Sequence, residues 1–244
     1  MGDIYDALRA AIEEGRVVKD LGMQGARLDH ADLDGLKGDF LHASGSDLTA
    51  ARLRNAHLVD CDFPSAVLRD VDFSGATLWQ CQFRNADVTG GRFEGARAEN
   101  NFWSKADFSR ADFRGAHLSE TLFDSSSLRN ARLDGSQGTN VRFNKADLTG
   151  AALTGASFPS GDFRGAILAG ADLSRGDFRD ADFRDTILQD VCWTGANLEG
   201  AQFDPGAAPR VEEGTSDEPN PGPTAALFAR YAQGRRVRDL HARR

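Results

Sequence analysis

From Leu28 to Phe203 a large apolar residue stands at nearly every fifth position, with no insertion to break the count. Of the 36 positions in this register, 16 are Leu, 13 Phe, 2 Trp and 1 Val; only Gly38, Ala43, Ala98 and Gly138 are small. Two residues earlier, 20 of the 36 are Ala and 13 more are Cys, Gly, Ser, Thr or Val, with Leu36, Leu41 and Asn101 as exceptions. A period of five matches neither an amphipathic helix nor a flat strand, so neither keeps these residues on one face. A chain that turns a corner every five residues does. The large residue points inward, the small one points inward where space is tight, and the residue between them points out. The pattern predicts a solenoid.

The sequence also predicts how many sides the solenoid has. Positions 63, 83, 103, 123, 143, 163, 183 and 203 read Phe, Phe, Trp, Phe, Phe, Phe, Phe, Phe, whereas 28, 48, 68 and onward to 188 are Leu in seven of nine places. That sorting by side implies a square cross-section with 20 residues per coil. The outward positions 32, 52, 72, 92, 112 and 132 alternate Asp, Arg, Asp, Arg, Asp, Arg, as stacked opposite charges would. With a central Leu or Phe, Ala two before it and Asp or Asn between, the segment resembles the pentapeptide-repeat proteins over residues 26–203. The resemblance implies an all-β solenoid, a right-handed quadrilateral parallel β-helix of about nine coils, which at a strand spacing of ~4.8 Å would be about 43 Å long.

Both ends of an open solenoid need covers. Residues 1–25 are expected to supply one: a helix over 3–14, with Ile4, Leu8 and Ile12 on one face and Gly15 ending it, and then a lead-in of Val17, Val18, Leu21 and Met23. Beyond the rod, residues 204–223 hold five of the seven prolines and read as an acidic linker. Residues 224–244 carry six Arg and one Asp, with Leu227, Phe228 and Tyr231 at helical spacing. These three are candidates for docking, over the open end left by Phe203 or against a second subunit.

Composition narrows the chemistry. Three Cys among 244 residues make neither a dense disulfide framework nor a four-Cys zinc site. Cys61 and Cys81 are expected to stack in the core one coil apart, with Cys192 outward. The five His fall on different sides or distant coils, so no metal centre or cofactor site is expected. Asp abounds because the outward position favours it, and the reading is of a protein that is not an enzyme. No stretch is apolar enough to span a membrane. The acidic start lacks a secretory leader's pattern, and an unprocessed cytoplasmic protein is expected.

What remains are surfaces. Phe40, Val59, Trp79, Phe102 and Leu122 fall outward along one corner on successive coils, either as an interface or as a shield over an irregular Asn100–Asn101–Phe102–Trp103 turn. Ile167 and Ile187 form a smaller outward pair. Trp103 beside the undersized Ala98 reads as volume compensation. Asp162, Asp172, Asp177, Asp180, Asp182, Asp185 and Asp190 gather in the last coils, interleaved with Arg164, Arg175, Arg179 and Arg184.

The resemblance implies two partner classes. Family members bind DNA gyrase or topoisomerase IV as mimics of duplex DNA and commonly form homodimers through the C-terminal end; others serve as scaffolds or adaptors, for example beside secretion and effector systems. Net charge is -8, of which residues 26–203 carry -7. A DNA copy of the rod's length would carry about 25 charges at one per ~1.7 Å, so mimicry along the whole length is excluded and local mimicry is not. Direct nucleic-acid binding by an acidic rod is not expected.

Overall fold

The computed structural model describes residues 2–209. Helix α1 spans Gly2–Glu13, with Leu8 and Ala11 fully buried and Ile4, Tyr5 and Ile12 packed at the core's edge. Gly15 ends it in a left-handed conformation (φ +65°). There the Gly15 N–H donates to the Ile12 carbonyl at 3.0 Å and the Arg16 N–H to the Ala11 carbonyl at 2.8 Å. Both bonds satisfy carbonyls that a bare helix terminus would leave open. The helix thereby closes the first end of the rod, and Arg9 reaches the Asp32 carbonyl on the coil beneath at 3.2 Å.

Five short strands follow, β1 Val17–Lys19, β2 Lys37–Asp39, β3 His57–Val59, β4 Thr77–Trp79 and β5 Arg97–Glu99, paired in order as one parallel sheet. This ladder makes a parallel β-solenoid of four turns, every pair offset by 20 residues, from Val17↔Lys37 to Trp79↔Glu99. Isolated bridges keep the same offset on the other sides and continue it to Asp182↔Gln202. Pairing therefore starts at Val17, inside the stretch expected only to lead in. The five-residue step already pointed there, because Val18 and Met23 continue it.

Inward residues fill the rod. The aromatic column expected from the period is present: Phe63–Phe83, Phe123–Phe143, Phe143–Phe163, Phe163–Phe183 and Phe183–Phe203 stack at centroid distances of 4.9, 5.1, 4.9, 4.8 and 5.2 Å. Trp103 meets Phe83 and Phe123 edge-on instead. Each such pair contributes ~0.5–1.5 kcal/mol beyond area burial. A second column, Phe73–Phe93–Phe113, stacks at 5.3 and 4.7 Å beside the first. The undersized centres have local answers. A Cβ on Gly38 would lie 2.4 Å from Leu41 Cδ1, so Leu41, an exception at the small position, fills the space a larger residue 38 would take.

The corners are turned by residues with positive φ, many of them Asn, Asp or Gly, which adopt that conformation at least cost. Outside, the alternating column pairs as expected, Asp32↔Arg52↔Asp72↔Arg92↔Asp112↔Arg132. Ion pairs form along it, Arg52–Asp32 at 2.5 Å and Arg132–Asp112 at 3.7 Å, and an Arg54–Asp34 pair flanks it.

Candidate interaction surface

One corner of the rod is built unlike the others. At an ordinary corner the N–H three residues on closes the turn, as Ala26 does to the Met23 carbonyl at 3.0 Å and Ala31 to the Leu28 carbonyl at 3.0 Å. After β2, β3, β4 and β5 the central carbonyl instead accepts from a side chain on the next coil. Cys61 Sγ reaches the Gly38 carbonyl at 3.4 Å and Cys81 Sγ the Leu58 carbonyl at 3.5 Å. Asn101 Nδ2 donates to the Leu78 carbonyl at 3.1 Å, and Thr121 Oγ1 to the Ala98 carbonyl at 2.9 Å. Asn101 also accepts the Cys81 N–H through Oδ1 at 2.8 Å. One coil later the turn closes normally, the Thr121 N–H reaching the Leu118 carbonyl at 3.1 Å.

This internal column changes two expectations. Cys61 and Cys81 are buried one above the other, as foreseen, but their thiols also cap carbonyls that a closed turn would have satisfied. Burial pushes the Cys81 thiol well up, so it stays a neutral donor. The segment around Asn101 is an open turn, as the irregular sequence there implied, yet Phe102 keeps unbroken register with Gln82 below and Leu122 above. The signal in the sequence was a set of polar or sulfur residues at the inward small position, Cys61, Cys81, Asn101 and Thr121, all in one column.

On the outside of the same corner lies the apolar strip. Phe40, Trp79 and Phe102 are 46%, 38% and 49% exposed, and Val59 and Leu122 are half-buried. Val59 pairs with Trp79, Phe102 with Leu122, and the Phe40 N–H donates to the Val59 carbonyl at 3.0 Å. Glu99 follows Trp79 in its row and Gln82 precedes Phe102 in the neighbouring one, so the strip is two stacked pairs with Phe40 at one end. Phe40 carries two costs at once. It is a bulky residue at φ +56°, a conformation worth roughly 1–2 kcal/mol of strain, and its ring faces water. Ionic groups border the strip: Lys19 pairs with Asp39 at 3.2 Å and His42 approaches Asp62 at 3.4 Å. Farther along, Ile167 pairs with Ile187, which is 51% exposed.

The acidic residues of the last coils do not share one face. Asp162 and Asp182 stack in the row that also holds Phe102 and Leu122. Asp172 lies in the row of Asp112 and Arg132, and Asp177 in a third row. Asp180, Asp185 and Asp190 turn three successive corners with positive φ. Arginines answer several of them: Arg164 pairs with Asp162 at 2.6 Å and reaches Asp182 at 3.6 Å, Arg179 pairs with Asp177 at 2.8 Å, and Arg184 with Asp182 at 2.5 Å. The guanidinium hydrogen-bonded to each holds the Asp162, Asp177 and Asp182 carboxyls below the usual carboxylate value. The arrangement is a belt around the rod rather than a patch.

Among the described residues no group of three or more His, Cys, Asp or Glu could hold a metal ion, and no helix is long and apolar enough to cross a membrane. Leu227, Phe228, Tyr231 and most of the linker lie outside the described residues.

Fold and surface together define a parallel β-solenoid of five-residue units. The family model for pentapeptide repeats matches in 8 copies, over residues 46–78, 65–100, 106–144, 123–158 and 146–185, and the chain belongs to that family. No curated protein matches. Among solved structures, it is similar to HetL, a pentapeptide repeat protein involved in heterocyst differentiation regulation from Nostoc sp. strain PCC 7120 (26% identity, 79% of this chain and 89% of that one, TM-score 0.35). It is also similar to full-length QnrB1, a plasmid-mediated fluoroquinolone resistance protein (19% identity, 90% and 99% covered, TM-score 0.38). A third likeness is to Rfr23 from the cyanobacterium Cyanothece 51142 (24% identity, TM-score 0.38), where 38% of this chain spans 64% of that one. Membership rests on the repeat pattern.

Proposed function

We propose that the protein is a non-enzymatic binding rod that holds a protein partner against the corner marked by Phe40, Trp79 and Phe102. One observation carries this reading: among the described residues, three large apolar side chains stay exposed on one corner while the other large apolar residues are nearly all inside. Exposed apolar groups that run together mark interfaces. With this reading go a rigid scaffold or adaptor role, a right-handed rod of nine coils, a helical tail beyond the linker and a cytoplasmic location. The test is partner capture by the full chain and by a Trp79→Ser, Phe102→Ser variant. Capture should be lost while the melting temperature holds, and unchanged capture would remove the corner from consideration.

A second reading is supported by the charge of the last turn, since residues 185–204 contain four acids and no Lys or Arg. On it the acidic end acts as a local DNA mimic toward DNA gyrase or topoisomerase IV and protects the enzyme from a quinolone or related toxin. Purified protein should then inhibit gyrase supercoiling, or rescue it from a quinolone, at low micromolar concentration. Absence of any effect well above that range would sink it.

A further inference from the structure

The outer face of β2–β5 carries a row of residues with cations and no acid. It reads Lys37, His57, Thr77, Arg97, His117 and Gln137, each paired with the next in register. Over the same coils the other three outward rows all hold carboxylates: Asp47, Asp87 and Asp107 in one, Asp72 and Asp112 in the next, Asp62 in the third. Lys37, His57 and Arg97 are exposed. Lys37 Nζ donates to the Gly15 carbonyl at 3.4 Å, and neither Lys37 nor Arg97 forms an ion pair among the described residues. Acids bordering the row are already answered elsewhere: Asp34 by Arg54, Asp39 by Lys19 at 3.2 Å and Glu94 by Arg114 at 3.3 Å. Stacked cations do not stabilise a fold. Unanswered charge of one sign suits a partner of the other sign.

The same strands put this row beside the apolar strip. On their outer side β3 sets His57 next to Val59, and β4 sets Thr77 next to Trp79. Beyond them, Asp60 turns the corner after Val59, and Glu99 follows Trp79 on the next coil. Across the corner the order is therefore cation, apolar, acid. A partner must bring apolar groups in the middle and carboxylates on one flank only. A nucleic acid would set phosphates against Asp60 and Glu99. Spacing selects the element. Coils lie ~4.8 Å apart, and an α-helix advances about 5.4 Å per turn, so a helix lying along the rod offers roughly one side chain per coil. An extended segment would step ~6.8 Å between side chains on one face and fall out of register.

We propose that the partner held by this corner presents an amphipathic α-helix with one acidic flank, laid along the rod. Its apolar stripe rests on Phe40, Val59 and Trp79, and its carboxylates meet Lys37, His57 and Arg97. The inference rests on the reading that the corner binds a protein, and adds the shape and sign of what is bound.

The test uses the full chain and two synthetic peptides of about 18 residues, roughly five helical turns. Both share one leucine stripe, and they differ only in a Glu or a Lys flank; binding is read from the anisotropy of a fluorophore on each. The Glu-flanked peptide should bind at least about tenfold more tightly, and high salt should erase most of that advantage. A Lys37→Glu, Arg97→Glu variant, changed only at exposed positions, should reverse the preference with its melting temperature unchanged, and Trp79→Ser should weaken both peptides. Equal affinity for the two peptides, binding of neither, an unchanged preference in the double variant, or full affinity in Trp79→Ser overturns the proposal. A duplex oligonucleotide that binds more tightly than the Glu-flanked peptide and ignores Trp79→Ser overturns it in favour of a nucleic acid. Partner capture lost in Trp79→Ser, Phe102→Ser but kept in Lys37→Glu, Arg97→Glu would remove the acidic helix and leave the corner standing. Capture kept in both would remove the corner itself.

Discussion

Along one corner the rod is made in two ways. From β2 to β5 the turn stays open, its carbonyls are met by Cys61, Cys81, Asn101 and Thr121, and large apolar residues project outside. At Thr121 the turn closes on Leu118, and it closes again at Gly161 on Phe158. From Asp162 onward the outward row of the closed stretch carries Asp162 and Asp182, each with an arginine partner. The difference shows that at Gly38, Leu58, Leu78 and Ala98 an inward side chain on the next coil offers a donor where the turn's own backbone bond is not made, whereas at Gly138 the turn is open beside apolar Val141. The apolar exterior runs beside the stretch from β2 to β5.

The comparison breaks most sharply at Asn101. Asn101→Leu would strand the Cys81 N–H and remove the side-chain bond to the Leu78 carbonyl, so a loss of about 2–3 kcal/mol is expected in denaturant unfolding. Thr121→Val keeps shape and removes only the bond to the Ala98 carbonyl, for a loss of roughly 1–2 kcal/mol. Ser126→Ala is the control from a closed turn. The Phe123 carbonyl that accepts Ser126 Oγ at 2.6 Å already receives the Ser126 N–H at 3.0 Å, so the change should stay within about 0.5 kcal/mol. A loss as large as that of Thr121→Val would erase the distinction between the two kinds of corner.

Acid sharpens the contrast on the outside. The folded carboxyls of Asp162, Asp177 and Asp182 lie below the ordinary 3.8 because arginines hydrogen-bond them. Their contribution is therefore complete above that value and disappears as pH falls through the lowered folded values. Exposed pairs contribute little each, so the shift in unfolding midpoint between pH 7 and pH 3 should be modest, and smaller still in Asp182→Asn. Smallest of all is the expected stability effect of Trp79→Ser with Phe102→Ser, because neither side chain belongs to the buried core. A clear drop in melting temperature would show that the strip is structural.

Much of this was legible in the sequence because the five-residue step is a packing rule. It located the aromatic column from Phe63 to Phe203 and the Asp32-to-Arg132 charge row. It also placed Phe40, Trp79 and Phe102 outside. The capping column was not legible, because which carbonyl Asn101 meets depends on a neighbour 23 residues away and on whether the turn between them has closed. The dispersal of the acids was hidden for a related reason: Asp172, Asp177 and Asp182 are close in the chain, yet each lies in a different row.

Because every row advances by 20 residues, the molecule tolerates changes of length in whole turns only. Excising one complete turn would shorten the rod and leave each remaining residue aimed in its old direction. Excising a single five-residue unit would swing everything beyond the cut by about a quarter revolution, since four such units complete one circuit, and a cut between Trp79 and Phe102 would move Phe102 off the corner it shares with Trp79.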